Sequence, residues 1–135
     1  MISSLYKLFD LTIFFASFIV FNMFILIQLL QEIRDFSSDK KLVKTTATVL
    51  GKRNSIKLSI ILLLSLLLIV LAGIAMFVFP INSLFYLPLS YFLFIPLIRG
   101  LKNKRYESTL LNEFRKNLII VTIIFFLMFL ILMFF

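Results

Sequence analysis

The chain has 135 residues, 62% of them hydrophobic, with 18 Phe, no Cys, no His and a formal net charge of +8. A small domain leaves much of its surface in water, so an apolar share this far above the usual ~45–50% marks one integral membrane domain rather than a soluble fold. The missing Cys and His exclude disulfides, thiol nucleophiles, zinc–thiolate centres and an imidazole base. The positive charge lies in short segments between apolar runs, which signals membrane orientation and not nucleic-acid binding.

Four spans are expected, at about 11–31, 57–79, 82–98 and 117–135. The first two each exceed the ~20 residues needed to cross a ~30 Å hydrocarbon core. The first also resembles a retained helix more than a signal peptide: its apolar run is too long, and no Ala-x-Ala site follows. The third carries Pro88 and Pro96. These predict a kink, tolerable where neighbouring helices take up the freed carbonyls. The fourth runs to Phe135. The fold class expected is therefore all-α, a polytopic bundle of four transmembrane helices.

The linkers set the orientation. Residues 32–56 contain Arg34, Lys40, Lys41, Lys44, Lys52 and Arg53, and residues 99–117 contain Arg99, Lys102, Lys104, Arg105, Arg115 and Lys116. The connection at 80–83 is Pro-Ile-Asn-Ser and carries no charge. Positive charge stays in the cytoplasm, so both basic linkers are expected inside and both termini outside. In a bacterium this is the inner or plasma membrane. Within the spans, Ser17, Asn22, Gln28, Ser59, Ser65, Ser90 and Thr122 are polar, but no ionisable group sits at mid-depth. Coupled transporters usually carry one there, which disfavours that class. The polar residues read as contacts between helices.

Chemistry then belongs at the membrane surface, where Glu32, Asp35 and Asp39 supply half of the chain's six acids. If the first helix continues through Asp39, the three carboxylates fall on one face. Asp35 and Asp39 at i,i+4 would repel. No Lys or Arg stands three or four residues from Asp35 or Asp39, so intrahelical pairing does not account for the cluster. Oxygen ligands without sulfur or imidazole suit Mg²⁺ or Ca²⁺, and Mg²⁺ commonly completes its shell with phosphate oxygens. Arg34, Lys40, Lys41 and Lys44 are placed to neutralise the remaining phosphate charge. A lipid diphosphate at the bundle mouth, with its tail among the helices, fits this set.

The stretch Glu32-x-x-Asp35-x-x-x-Asp39-Lys40-Lys41, followed by Thr45-Thr46-Ala47-Thr48-Val49-Leu50-Gly51-Lys52, resembles the second aspartate-rich motif of the UbiA-type intramembrane prenyltransferases. Arg34-Asp35 and Asp39 match in identity and spacing, and Gly51 falls where that family places a glycine. The resemblance implies a nine-helix fold of which this chain covers helices six to nine. It implies Asp35 and Asp39 as catalytic, metal-bridging ligands, with Glu32 a supporting metal ligand. Arg34, Lys40, Lys41 and Lys44 would contact the substrate. The implied reaction is Mg²⁺-dependent transfer of a prenyl group from a prenyl diphosphate to an aromatic or other lipophilic acceptor.

Two departures qualify the match. Leu42 and Val43 stand where the family often has glycine. The first aspartate-rich motif is absent, since residues 1–30 offer only Asp10. The chain is therefore expected to be incomplete alone: a fragment, or half of a split enzyme that joins a separate N-terminal polypeptide. The alternative is a non-catalytic four-helix membrane protein or accessory subunit.

Overall fold

A computed structural model describes residues 2–36, 44–103 and 109–134. These form five α-helices: α1 (Ile2–Arg34), α2 (Thr46–Leu50), α3 (Lys52–Ala75), α4 (Tyr86–Lys102) and α5 (Leu110–Phe134). A 3-10 turn, Ile81–Phe85, leads into α4. No strand occurs among the described residues. Among the described residues, three segments are long and apolar enough to cross a membrane: Ile2–Arg34, Lys52–Ala75 and Ile81–Lys102. The protein is thus all-helical and suited to a membrane.

The helices form a closed ring. α1 packs along α3, α3 on α4, α4 on α5, and α5 returns to α1. Leu26, Leu30, Ile33, Leu63, Leu93, Leu97, Phe114 and Val121 are buried where they meet. The outer faces stay as apolar as the inner ones. Phe14, Phe21 and Phe24 of α1 are 62%, 60% and 65% exposed. Lipid tails solvate such faces as well as Leu does, so association in a bilayer rests on close packing and polar contacts rather than on water exclusion.

Those contacts are specific. Ser65 Oγ shares its one proton between the Leu62 carbonyl of its own helix at 2.7 Å and Asn22 Oδ1 of α1 at 3.1 Å, so α3 meets α1 at mid-span. The amide of Asn22 in turn donates to the Phe18 carbonyl. Ser59, Ser90 and Thr122 instead donate to carbonyls of Ser55, Leu87 and Leu118 in their own helices. The sequence reading of these polar residues as interhelical contacts thus holds in part for Asn22 and Ser65, which meet although Ser65 also bonds its own helix. Among the described residues, Ser59, Ser90 and Thr122 bond only their own helices.

The two prolines behave differently. Pro88 lies in the first turn of α4, where an amide proton has no helical acceptor in any case. Pro96 is inside the helix and leaves the carbonyl four residues earlier without its donor. That carbonyl belongs to Phe92, and Asn117 Nδ2 of α5 donates to it at 2.8 Å. A neighbouring helix therefore supplies the missing donor, as expected.

Helix α3 ends in a Schellman arrangement: Val78 N–H reaches Gly73 O at 2.8 Å and Phe77 N–H reaches Ile74 O at 3.0 Å. Phe77 has φ +58°, the left-handed position that glycine usually fills. The chain then turns back so that the Phe79 ring lies on Gly73, where any Cβ would collide with it. Phe79 also meets Phe15 edge-to-face at 6.0 Å, a contact worth about 0.5–1.5 kcal/mol beyond area.

The helix boundaries differ from those read in the sequence. α1 begins at Ile2 rather than near Leu11, and α3 begins at Lys52 rather than Lys57. Charged and polar residues (Lys7, Asp10; Lys52, Arg53, Asn54) hide these turns from a hydropathy reading, yet they can stand on helix beyond the hydrocarbon. At 33 residues and 1.5 Å per residue, α1 is about 50 Å long, well over a ~30 Å hydrocarbon core.

Candidate functional site

The acidic end of α1 meets the linker at the basic end of the bundle. α1 stops at Arg34, one residue before Asp35. Asp35 N–H still bonds Gln31 O at 3.0 Å and Phe36 is again helical, while the continuation through Asp39 supposed in the sequence reading lies outside the described residues. Asp39, Lys40 and Lys41 lie outside the described residues, so their position relative to Glu32 and Asp35 carries no geometry here.

Asp35 has a cationic partner that helical spacing did not offer. Arg34 Nε and Nη2 donate to Asp35 Oδ1 and Oδ2 at 2.8 and 2.9 Å. Residues i and i+1 do not share a helix face, yet here the two side chains fold together while Asp35 N–H still reaches Gln31 O at 3.0 Å. The hydrogen bonds from Arg34 outweigh the opposing desolvation and, with a smaller contribution from its charge, hold the Asp35 carboxyl below the usual carboxylate range. The pair is solvent-exposed, with both side chains over two-fifths accessible, so its contribution to stability is small.

Glu32 points to the linker. Its Oε2 accepts from the backbone N–H of Ala47 at 3.0 Å. Ala47 is fully buried and lies in the first turn of α2, whose start is closed by a reciprocal capping box. Thr45 Oγ1 accepts from Thr48 N–H at 3.3 Å, and Thr48 Oγ1 accepts from Thr45 N–H at 2.8 Å. Three amide donors at the start of a five-residue helix are thereby satisfied, two by threonine hydroxyls and one by Glu32. Glu32 also lines a small cavity of about 180 Å³ with Gln28, Leu29, Thr46 and Leu58.

Gly51 joins α2 to α3 with a single residue at φ +83°. A Cβ there would meet nothing within 4 Å, so the backbone conformation and not space requires glycine. Lys52 follows, its Nζ lying 5.3 Å from the Phe36 ring centroid. Lys44, expected to contact substrate, is exposed at the start of this segment.

Carboxylates suit Mg²⁺ by donor type, but the described side chains do not gather as a metal centre. No group of three acidic ligands comes together among the described residues. Both oxygens of Asp35 accept from Arg34, and one oxygen of Glu32 accepts from Ala47. A metal at Asp35 would share the carboxylate with the guanidinium, whose two hydrogen bonds leave the remaining lone pairs open.

Sequence reasoning missed the mechanical roles of Glu32, Thr45 and Thr48. The signal for the threonines was present, since Thr-x-x-Thr at a helix start has capping-box spacing. The Glu32 contact spans fifteen residues and had no local signal. Comparison of the chain with protein-family models, curated proteins and solved structures finds no match.

Proposed function

We propose that the chain is the C-terminal portion of a UbiA-like, Mg²⁺-dependent prenyltransferase with four membrane spans, its basic linkers cytoplasmic and both termini outside. A prenyl diphosphate and a lipophilic acceptor would be its substrates, and a polypeptide carrying the first aspartate-rich motif its partner. The observation that supports this reading most is the placement of Glu32, Asp35 and Lys44 at one end of an apolar helical bundle. They flank a capped connector and a glycine-requiring turn into the next long helix. That order of acid, base, threonine and Gly51 is the one the resemblance rests on.

In this reading Arg34 holds Asp35 ionised until a diphosphate competes for the guanidinium, and Glu32 fixes the connector that carries Lys44. The second reading is a non-catalytic membrane subunit. The Arg34–Asp35 pair favours it, because it gives the carboxylate a partner from within the chain.

Titration calorimetry in lipid nanodiscs separates the two. Farnesyl diphosphate is added with and without Mg²⁺, to the chain alone and to any complex with a polypeptide bearing the first motif. The prenyltransferase reading expects Mg²⁺-dependent binding that weakens in both Asp35→Asn and Asp39→Asn. Binding that ignores Mg²⁺, or that is unchanged in both variants, leaves the structural reading standing.

A further inference from the structure

A second feature lies at the opposite end of the bundle and does not depend on the transfer reaction. A cavity of about 430 Å³ opens between α1, α3, α5 and the turn before α4. Leu66, Val70, Phe79 and Phe125 are among its walls. Asn82 and Ser83 in the 3-10 turn, with Tyr86, border it at one side.

Charge narrows what this space can hold. No Asp, Glu, Lys or Arg occurs from residue 58 to 98, nor from 117 to 135. On α1, the lining residue is Ile19, two and a half turns from Asp10 by helical repeat. A phosphate or carboxylate head group would thus find no cation on any wall. The cavity walls are almost wholly apolar, and 430 Å³ falls within the ~300–1,000 Å³ typical of small-molecule sites. The surrounding helices are suited to hydrocarbon, so the molecules that reach the opening are lipids.

We propose that this cavity binds one neutral lipid. Its hydrocarbon chain packs among Leu66, Val70, Phe79 and Phe125, and an uncharged hydroxyl or carbonyl head hydrogen-bonds at Asn82 and Ser83. The ring of Phe79 is fixed from behind by Gly73 and Phe15, which makes that wall preformed rather than adaptable.

The test is photolabelling of the full chain in nanodiscs with a diazirine-bearing hexadecanol, followed by peptide mapping. Saturable labelling is expected at residues 66–70, 79–86 and 125–128. Unlabelled hexadecanol should compete at least tenfold better than hexadecyl phosphate. Val70→Phe should fill the space and cut labelling about tenfold. Asn82→Leu, on an exposed turn, should leave the walls intact and abolish the preference for alcohol over a chain-matched alkane. Labelling that does not saturate and spreads over the outward Phe residues of α1 means annular lipid only and overturns the proposal. Equal competition by the phosphate, or an unchanged preference in Asn82→Leu, overturns it as well.

Discussion

Asn117 and Phe92 meet across two helices: the side-chain amide of the first donates to the backbone carbonyl of the second at 2.8 Å. Pro96 sits four residues beyond Phe92 in the same helix and cannot provide that hydrogen bond itself. One side chain on α5 therefore repairs a gap that a proline opens in α4, and it fixes the register of the two helices while doing so.

Removing the donor should be costly only while the proline is present. Asn117→Leu leaves the Phe92 carbonyl without its partner and is expected to destabilise the bundle by about 1–3 kcal/mol. Pro96→Ala restores an amide to bond Phe92 within the helix. In that background Asn117→Leu should cost well under half as much. Unfolding in mixed micelles, run as a double-mutant cycle, measures the coupling; additive effects would disprove the repair.

Acid should break the Arg34–Asp35 pair late. The Asp35 carboxyl is held low mainly by hydrogen bonds from Arg34, so the pair persists above the ordinary carboxylate pKa of ~3.9. Its contribution is present above that value and is lost as pH falls through the lowered one. Carbon-detected NMR of labelled Asp35 should give a midpoint below the ordinary value, returning upward in Arg34→Gln. A midpoint unaffected by Arg34→Gln contradicts the pairing.

Glu32 can be tested as a clasp and as a ligand separately. Glu32→Gln keeps a carbonyl oxygen for Ala47 N–H, whereas Glu32→Leu removes it. Hydrogen exchange at the Ala47 amide should stay slow in the first and accelerate about five- to tenfold in the second, in keeping with a net hydrogen bond of ~1 kcal/mol. If Mg²⁺ binding falls in Glu32→Gln while exchange stays slow, the carboxylate serves a metal in addition to the linker.

Two turns differ in what they ask of the backbone. Phe77 occupies the left-handed region at φ +58° although it is 89% exposed, so Phe77→Gly should stabilise the end of α3 by about 1 kcal/mol. Gly51, at φ +83° and ψ 156°, stands in a region almost confined to glycine, and Gly51→Ala should cost about 1–3 kcal/mol despite the open space around it. Thermal unfolding midpoints that move the same way for both variants would refute this account.

The membrane character and helical class were legible in the sequence because each rests on a local sum. Twenty apolar residues make a span whatever they touch, and the charged linkers bracket those spans. The effect of Pro96 was legible for the same reason, since a missing proton is a property of the residue. The capping threonines carried a local signal too, although it was overshadowed by the motif in which they sit.

The tertiary structure decided the partners. That Asn117 serves Phe92, that Glu32 reaches Ala47, and that Asn22 and Ser65 meet at mid-span depend on how four apolar helices settle against one another. A largely apolar surface offers many registers of similar energy, and a few polar contacts select among them. The pairing of Arg34 with Asp35 was misread for a related reason: helical spacing denies neighbours a shared face, and only the folded chain shows the two side chains turned onto each other. The sequence determined what kind of molecule this is; the packing of its helices decided which groups are left to act.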